Sequence, residues 1–563
     1  MIRIFSVIAA LLLCGSVNAQ DWVKKAYPAV FTLKTFDANG SLLASTNGFF
    51  TDTQGTAVSG FAPFRGASRA VIIDAQGKEY DVTCMLGADE MYDVAKFRVD
   101  ISKCTPLPIA AATPADSARL WLMPYSVKEV PQCVEGSLSA AQKVADDYDY
   151  YTLYIIIGEG DMANCPVMND NGEAIGLLQA AGGEDGTEYA VSARYANDLA
   201  INALSINDEA LNATAIKKDL PDKIDQALLS LYLGGNVLDS ASYATFIDDF
   251  INKFPNAADG YVYRAQQAVN DNRFDDADAD LTLAVKMADK KDDAHYNYAK
   301  LIYQKLVLKP EAVYEPWTFD KAVEEADNAI KANPTNIYHQ LKAEILFSAE
   351  RFDEAFNEYI ETINNGERTA IMFFGAARCK EMTGDTASCI AFLDSTINTF
   401  SRPLLKDAAP YLLSRAEMLL ATGSYRAAVQ DMNDYEKLMS SQINDQFYYI
   451  RSQAEVEGKL YQQALNDLRT AIEKAPRNAV YYIEKASLEV RVSLYDDAIK
   501  TAKESLEVDS QLSDGYLFLG LAQCLKGDKT EGVANLRKAG ELGDPQAQEL
   551  IDKYGQEEQQ TAN

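Results

Sequence analysis

The strongest constraint on how this chain can fold is a spacing of 34 residues that recurs between Tyr461 and Gly540. Ala464, Ala498 and Gly532 stand one such step apart, and each is followed seven residues later by another small residue: Ala471, Ser505 or Ala539. Small side chains let two helices approach closely where they cross. A period of this length marks a stack of short structural units that bury their apolar faces on one another, not a closed globule. Most of the chain is therefore expected to be an all-α solenoid.

The amino terminus reads differently. Residues 1–19, MIRIFSVIAALLLCGSVNA, carry one positive charge at Arg3, an apolar run through Leu13, and a Val17-Asn18-Ala19 end suited to cleavage before Gln20. This predicts a signal peptide and an exported protein, periplasmic or extracellular. The run is too short to be a convincing membrane span, and no later apolar stretch approaches the roughly 18 residues that a spanning helix needs. Cys14 raises the alternative of a lipid anchor. Leu13 before it is larger than lipoprotein processing usually tolerates, which favours a soluble mature protein.

Charge narrows the partners. The chain has 83 acidic and 52 basic side chains, a net charge of -31, and loss of Arg3 with the signal makes the mature value about -32. Such a surface repels nucleic-acid backbones and anionic lipid, so basic or neutral partners are expected and nucleic acid is not. Seven cysteines follow the signal: Cys84, Cys104, Cys133 and Cys165, then Cys379, Cys389 and Cys524. Export permits disulfides. Four cysteines in the first domain allow three complete pairings, among which the sequence does not choose. The odd total leaves at least one thiol unpaired unless a bridge forms between chains. With no CxxC spacing and only His295 and His339 as imidazoles, neither a metal centre nor a cofactor is expected.

Between residues 22 and 200, short runs rich in Val, Ile, Thr, Phe and Tyr are broken by Gly, Asn and Asp. Examples are AVFTLKTF, RAVIIDAQGKEYDV, DVAKFRV, YTLYIII and EAIGLLQA. Asp37 to Gly40 and Asp170 to Gly172 have the composition of tight turns. Many short strands with few helical periods predict an all-β barrel or sandwich over residues 20–203.

The segments NGFFTDTQGTAVSGFA, YDVAKFRV and DMANCPVMNDNGEAIGLLQA, in that order, resemble the trypsin-like serine proteases, particularly the bacterial HtrA-like branch. The resemblance covers about Val23 to Ala200 and implies a double β-barrel. It sets the family's catalytic His on Ala62, its Asp on Asp93, and its Ser on Ala163. Pro166 matches the Pro that closes the nucleophile loop, so Asn164 and Cys165 replace the two glycines before it. Acyl transfer by this route needs a nucleophile, a base to take its proton and a carboxylate to hold the base. Alanine supplies neither of the first two, and there is no histidine between Gln20 and Ala200 to substitute. The expected outcome is a domain without peptidase activity. Cys165 as a replacement nucleophile lacks an evident base; a disulfide, with Cys133 as one candidate partner, or a buried thiol is the expected role. Peptide binding or a structural cap on the solenoid remains for such a domain.

From Ala193 to about Asn256 the pattern becomes helical. Leu204 to Ala215 is expected to be a hinge, within a linker and irregular helical pair spanning 204–256. A helix is expected after Pro221 and to stop at Gly234-Gly235.

The repeats themselves, over 257–546, resemble tetratricopeptide repeats, in which small residues occupy the eighth, twentieth and twenty-seventh positions of the unit. Ala265, Ala277 and Ala284 fit the first of about eight units. Later units carry Ala322 and Ala329; Ala343 and Ala355; Ala377 and Cys389; Ala416 and Ala428; Ala464 and Ala471; Ala486 and Ala498; and Gly520, Gly532 and Ala539. In this family the first helix of each unit lines a groove. Carrying over its fifth position gives Val262, Gln340, Phe374, Leu413, Tyr449, Ile483 and Leu517. The ninth gives Gln266, Glu344, Arg378, Glu417, Gln453, Ser487 and Leu521. The Lys and Asn with which some members hold a carboxyl terminus are absent. Apolar anchors edged by Glu and Gln suit protein segments with hydrophobic side chains and basic or neutral flanks. Packing between helices is the competing explanation for each apolar position. Residues 547–563 are expected to be a polar tail.

The resulting expectation is an exported, non-enzymatic scaffold or adaptor of the bacterial envelope. The alternatives are a serine endopeptidase with a displaced active site and an envelope carbohydrate-binding protein.

Overall fold

The computed structural model describes residues 21–144, 147–158, 162–179 and 186–561; the expected signal peptide lies outside the described residues. The chain divides between Ala288 and Asp289 into two compact units.

The first unit opens on a short helix, Asp21–Ala26, and continues into twelve strands that close two six-stranded barrels. The first holds β1 (Val30–Phe36), β2 (Leu42–Phe50), β3 (Thr56–Ser59), β4 (Arg69–Ile73), β5 (Glu79–Asp89) and β6 (Val94–Val99), ordered β1-β2-β3-β6-β5-β4. The second holds β7 (Arg119–Leu122), β8 (Val134–Val144), β9 (Tyr148–Ile155), β10 (Pro166–Met168), β11 (Ala174–Leu178) and β12 (Thr187–Ser192). Its order, β7-β8-β9-β12-β11-β10, repeats that of the first strand for strand. All pairings are antiparallel, and closure leaves neither sheet with a free edge. The double barrel expected from the sequence is present.

Alternation along the strands sets what each barrel buries. On β6, Ala95, Phe97 and Val99 face the core while Lys96 and Arg98 are only partly covered. Phe31, Phe50, Phe64 and Phe97 fill the first barrel, with Phe31 and Phe50 edge to face at 4.9 Å. Leu120, Leu138, Leu153, Val167 and Ile175 fill the second. A third cluster joins Val30, Phe49, Val58 and Val94 of the first barrel to Met123, Met168, Leu177 and Val191 of the second, so the barrels share a core.

Three expectations for this unit are corrected. No disulfide joins any of the cysteines among the described residues. Cys165 is buried in the core of the second barrel, whereas Cys133 packs against the cluster between the barrels, so the two belong to different cores. Burial pushes the Cys133 thiol up to about 11. Cys84 and Cys104 are also unbridged, and the Cys104 thiol donates to the Asp52 carbonyl at 3.0 Å. The segment expected to be a hinge is not loose either. Ala210, Leu211 and Ile216 enter the first barrel's core, and Thr214 Oγ1 and Ala215 N both donate to the Ala67 carbonyl.

Beyond it, helix Ile224–Val237 runs through Gly234 and Gly235 where a stop was expected. A Cβ on Gly234 would meet Ile206 at 3.2 Å and Phe246 at 3.3 Å. The glycine serves close packing inside the helix, and the turn comes at Leu238. Helix Ser240–Lys253 pairs with it, and Ala258–Asn270 with Phe274–Met287 completes the first unit.

The second unit is a series of antiparallel helix pairs. Lys291–Leu308 packs on Phe319–Ala332, Asn336–Ser348 on Phe352–Asn364, Ala370–Met382 on Thr386–Asn398, and Ala409–Ala421 on Tyr425–Met439. Asp445–Glu457 with Tyr461–Lys474, Ala479–Arg491 with Tyr495–Val508, and Ser513–Lys526 with Lys529–Glu541 follow. The small residues of the repeat sit at the crossings: Ala322, Ala343, Ala355, Ala464, Ala486, Ala498 and Ala539 are each 0% exposed. A last helix, Ala547–Thr561, occupies the segment expected to be a polar tail. Ala547, Leu550, Ile551 and Tyr554 pack onto Leu517, Val533 and Leu536, which accounts for its order despite its polar composition.

Candidate functional site

Two places carry the residues singled out from the sequence. The first is where the barrels meet. Asp93 Oδ1 accepts the backbone N–H of Ala62 at 2.6 Å, with Asp93 in a left-handed conformation at φ 48°. On the other side of the same segment, Gly60 lies against Asn164, whose Nδ2 and Oδ1 would stand 2.7 and 2.8 Å from a Cβ placed there. Residues 60–62 thus touch Asp93 on one side and Asn164, the neighbour of Ala163, on the other.

Asn164 takes the left-handed backbone that glycine favours, φ 62°, a conformation asparagine tolerates better than most residues. Its Nδ2 donates to Thr46 Oγ1 at 2.8 Å. Asn47 Nδ2 and Thr46 Oγ1 in turn donate to the Ala163 carbonyl at 3.1 and 3.3 Å, and Ser59 Oγ donates to the Asn47 carbonyl at 2.6 Å. Thr46, Asn47, Ser59 and Asn164 are all buried, so these bonds satisfy polar groups that would otherwise be costly. Sequence reading missed Thr46 and Asn47. The available signal was a polar Ser45-Thr46-Asn47 run inside a strand that ends in Phe49-Phe50. The side chains at 62 and 163 are methyl groups, which neither give nor take a proton.

The second place is the series of first helices in the repeats. Gln340 Nε2 donates to Glu344 Oε1 at 2.9 Å, joining the fifth and ninth positions of one helix. Both line a cavity of about 230 Å³ with Tyr296, Lys300, Ile337 and Leu341, between neighbouring first helices. A second cavity, about 290 Å³, is lined by Gln453, Ser487, Glu484, Leu468 and Arg491. Tyr449 accepts from Gln453 Nε2 at 2.9 Å, and its ring lies 5.1 Å from that of Tyr481. Burial and then Glu484 raise its phenol above the usual value.

Phe374 meets Tyr411 edge to face at 5.0 Å, and the exposed Arg378 guanidinium lies 4.4 Å over the Phe347 ring. Val262, Leu413 and Ile483 are half-buried, and Glu417 is exposed. Leu517 is 2% exposed within the terminal cluster, so packing explains it. Sequence reading overlooked Ile337 and Ile371, which are 53% and 58% exposed near the starts of their helices.

No protein-family model matches the chain. Among curated proteins it is similar to the Hsp70-Hsp90 organizing protein of Triticum aestivum, at 22% identity over 255 residues, 43% of this chain and 41% of that protein. It is 30% identical over 93 residues to the small glutamine-rich tetratricopeptide repeat-containing protein 2 of Saccharomyces cerevisiae, 16% of this chain and 27% of that protein. It is 22% identical over 207 residues to stress-induced-phosphoprotein 1 of Caenorhabditis elegans, 37% of this chain and 62% of that protein. The chain thus spans less than two thirds of each of these relatives. Among solved structures, the active form of the Rv3671c protease from M. tuberculosis aligns at a TM-score of 0.27 and 17% identity, over 31% of this chain and 80% of that one. At that score the likeness adds nothing to the strand order. Among the described residues no helix is long and apolar enough to cross a membrane. The helical array is tetratricopeptide-like and consistent with protein–protein interaction.

Proposed function

We propose that the chain is a non-catalytic, protein-binding scaffold of the bacterial envelope that holds partner segments along the first helices of its repeats. The observation that carries this reading is the pair of cavities between successive first helices, each lined at positions where tetratricopeptide repeats bind. Ring surface at Phe374 and Tyr449 supplies apolar anchors.

Charge supports basic flanks on the partner. Burial and then Asp514 raise the Glu484 carboxyl, and burial and then Asp544 raise that of Asp514, so acids from successive units crowd one another. A positive side chain laid across them would relieve that crowding. The name of the similar Triticum aestivum protein, which describes an organiser of two other proteins, agrees with a scaffold role. In the front domain, methyl groups at 62 and 163 favour a binding or capping part over hydrolysis.

Crosslinking and pull-down from the native envelope test the reading, with Phe374→Ala and Tyr449→Ala beside the unaltered chain. Loss of a specific partner with an unchanged circular dichroism spectrum is expected. Unchanged recovery would remove the groove from the account. Turnover of a fluorogenic peptide by purified protein, abolished by replacing a single Ser, would overturn the non-catalytic part.

A further inference from the structure

Glu455 lies in the unit formed by Asp445–Glu457 and Tyr461–Lys474. It is 2% exposed, and its Oε2 has no hydrogen-bond partner among the described residues. Arg451, one helical turn before it, is committed elsewhere. Its Nε and Nη2 donate to the two oxygens of Asp467 at 2.6 and 2.9 Å, and its Nη1 donates to Glu436 at 2.6 Å. Glu455 instead stands within hydrogen-bonding reach of Asp467, which is itself 7% exposed. Two carboxylates in contact away from water repel strongly, and one of them keeps a proton.

At the same pair of positions the two following units carry Glu489 with Thr501 and Gln523 with Asn535, and in each a donor bonds the first-helix member. In the last, Asn535 Nδ2 donates to Gln523 Oε1 at 2.7 Å. In the middle one, Lys485 Nζ donates to Glu489 Oε1 at 2.6 Å and to Thr501 Oγ1 at 2.8 Å. An amide makes the bond in one unit and an ammonium in the other. Arg451, which stands at the position of Lys485, is spent on Asp467 and Glu436, so no such donor joins Glu455 to Asp467.

We infer that Glu455 and Asp467 share a single proton at neutral pH, and that this proton latches the helix bearing Tyr449 and Gln453 to its partner helix. The other charged groups around the joint do not replace it. Glu436, from Tyr425–Met439, is held by Arg451 and by the Tyr448 hydroxyl. Lys474 lies over the Tyr448 ring at 5.7 Å, and Arg491, from Ala479–Arg491, over the Tyr461 ring at 5.2 Å. Glu489 of that last helix is held by Lys485, and Glu484 lines the adjoining cavity.

Burial, then the neighbouring Asp467, pushes the Glu455 carboxyl up to about 8, from an ordinary value of 4.5. The folded chain therefore binds more protons than the unfolded one between those values. The stability that the latch supplies is complete below about pH 4.5 and is lost as pH rises through about 8. Ionisation releases the proton to solvent and leaves Glu455 charged and buried beside Asp467, whose guanidinium partner is already divided with Glu436.

Thermal unfolding of the full chain and of Glu455→Gln, followed from about pH 5 to about pH 9, tests the latch. Glutamine carries the donor itself, as Gln523 occupies the same position in the last unit. The two midpoints are expected to coincide near the acid end, and the unaltered chain to fall several degrees below the variant by about pH 8. An offset that stays constant across the range would overturn the shared proton. Infrared spectroscopy of the unaltered chain gives a second reading that does not depend on the variant folding. A protonated-carboxyl carbonyl band at neutral pH that disappears on alkaline titration is expected, and its absence at neutral pH overturns the latch.

Discussion

Arg415 grips Asp431 through two parallel hydrogen bonds, Nε to Oδ2 at 2.8 Å and Nη2 to Oδ1 at 2.7 Å, and so staples the first helix of its unit to the second. The same fork joins Arg264 to Asp280 and Arg451 to Asp467, and Lys342 reaches Glu358 at 2.6 Å. In every case the partners are 16 residues apart, the base just before the first helix's small residue and the acid three residues after the second's. Bidentate geometry fixes the relative rotation of the two helices as well as their distance. The unit Ala370–Asn398 has Ala376 and Phe392 at these places, an apolar solution to the same crossing.

Breaking one staple from the basic side is therefore expected to be costly. Asp431 is 4% exposed, and Arg415→Ala leaves its charge buried with no fork to hold it. The expected loss is about 3 kcal/mol, and pairing the change with Asp431→Phe, after the Ala376 and Phe392 arrangement, is expected to recover most of it. Urea unfolding of the unaltered chain and the two variants measures both effects.

Gly520 and Gly532 face each other at the crossing in the last unit. A Cβ on Gly532 would meet Cys524 Sγ at 2.4 Å and the Gly520 carbonyl at 2.8 Å, and one on Gly520 would meet the Gly532 carbonyl at 2.7 Å. Gly532→Ala installs the residue found at this register position in most of the other units, and alanine favours helix by about 1 kcal/mol. Overpacking against backbone costs about 1 to 3 kcal/mol and wins. A lower thermal midpoint for Gly532→Ala checks this; a raised one would show that the helices can separate freely.

At the junction of the barrels, Gly60→Ala is expected to expel the Asn164 side chain and break its bond to Thr46, destabilising the first unit by about 1 to 3 kcal/mol. Asn164→Gly removes both the obstacle and the left-handed strain, so Gly60→Ala combined with Asn164→Gly is expected to regain part of the loss. A double-mutant cycle on thermal midpoints shows whether the two positions are coupled.

What could be read from the sequence follows from the range of the interactions concerned. The buried alanines of the repeat are a local periodic signal, and Ala464, Ala486 and Ala498 lie where that period puts them. Asp93 was singled out by the family resemblance alone, and in the fold its carboxylate accepts the backbone N–H of Ala62, a contact 31 residues away that no local pattern announces. The staples were written in the sequence as Arg264, Lys342, Arg415 and Arg451, each just before a first-helix small residue, but a pairing over 16 residues shows only once the register is aligned. Cys133 and Cys165 carried no such register, and their separation into two cores depends on strand order that cysteine spacing does not encode. The fourfold polar network at Asn164 was hidden because it joins residues more than a hundred positions apart.

The end of the array offers the most direct test of how the units depend on one another. A repeat buries its apolar face on the next, and the last one needs a substitute. Here Leu550, Ile551 and Tyr554 supply it by packing on the cluster of Leu517, Val533 and Leu536. They are only partly buried, so each contributes less than the roughly 1.5 to 3 kcal/mol of a fully buried side chain, about 2 to 4 kcal/mol for the three together. Leu550→Asp with Ile551→Asp is expected to remove most of this from the Ser513–Glu541 pair and to leave the preceding units nearly unchanged, because coupling in a stack is local. Hydrogen exchange should accelerate in 513–541 while 445–474 keeps its protection. The uncovered apolar face should also make elution from a sizing column depend on concentration. Glu549→Ala, at an exposed position of the same helix, serves as the control and should change neither measurement. Uniform acceleration across the repeats would show instead that the array unfolds as one cooperative block, and the local-coupling account of the cap would then be wrong.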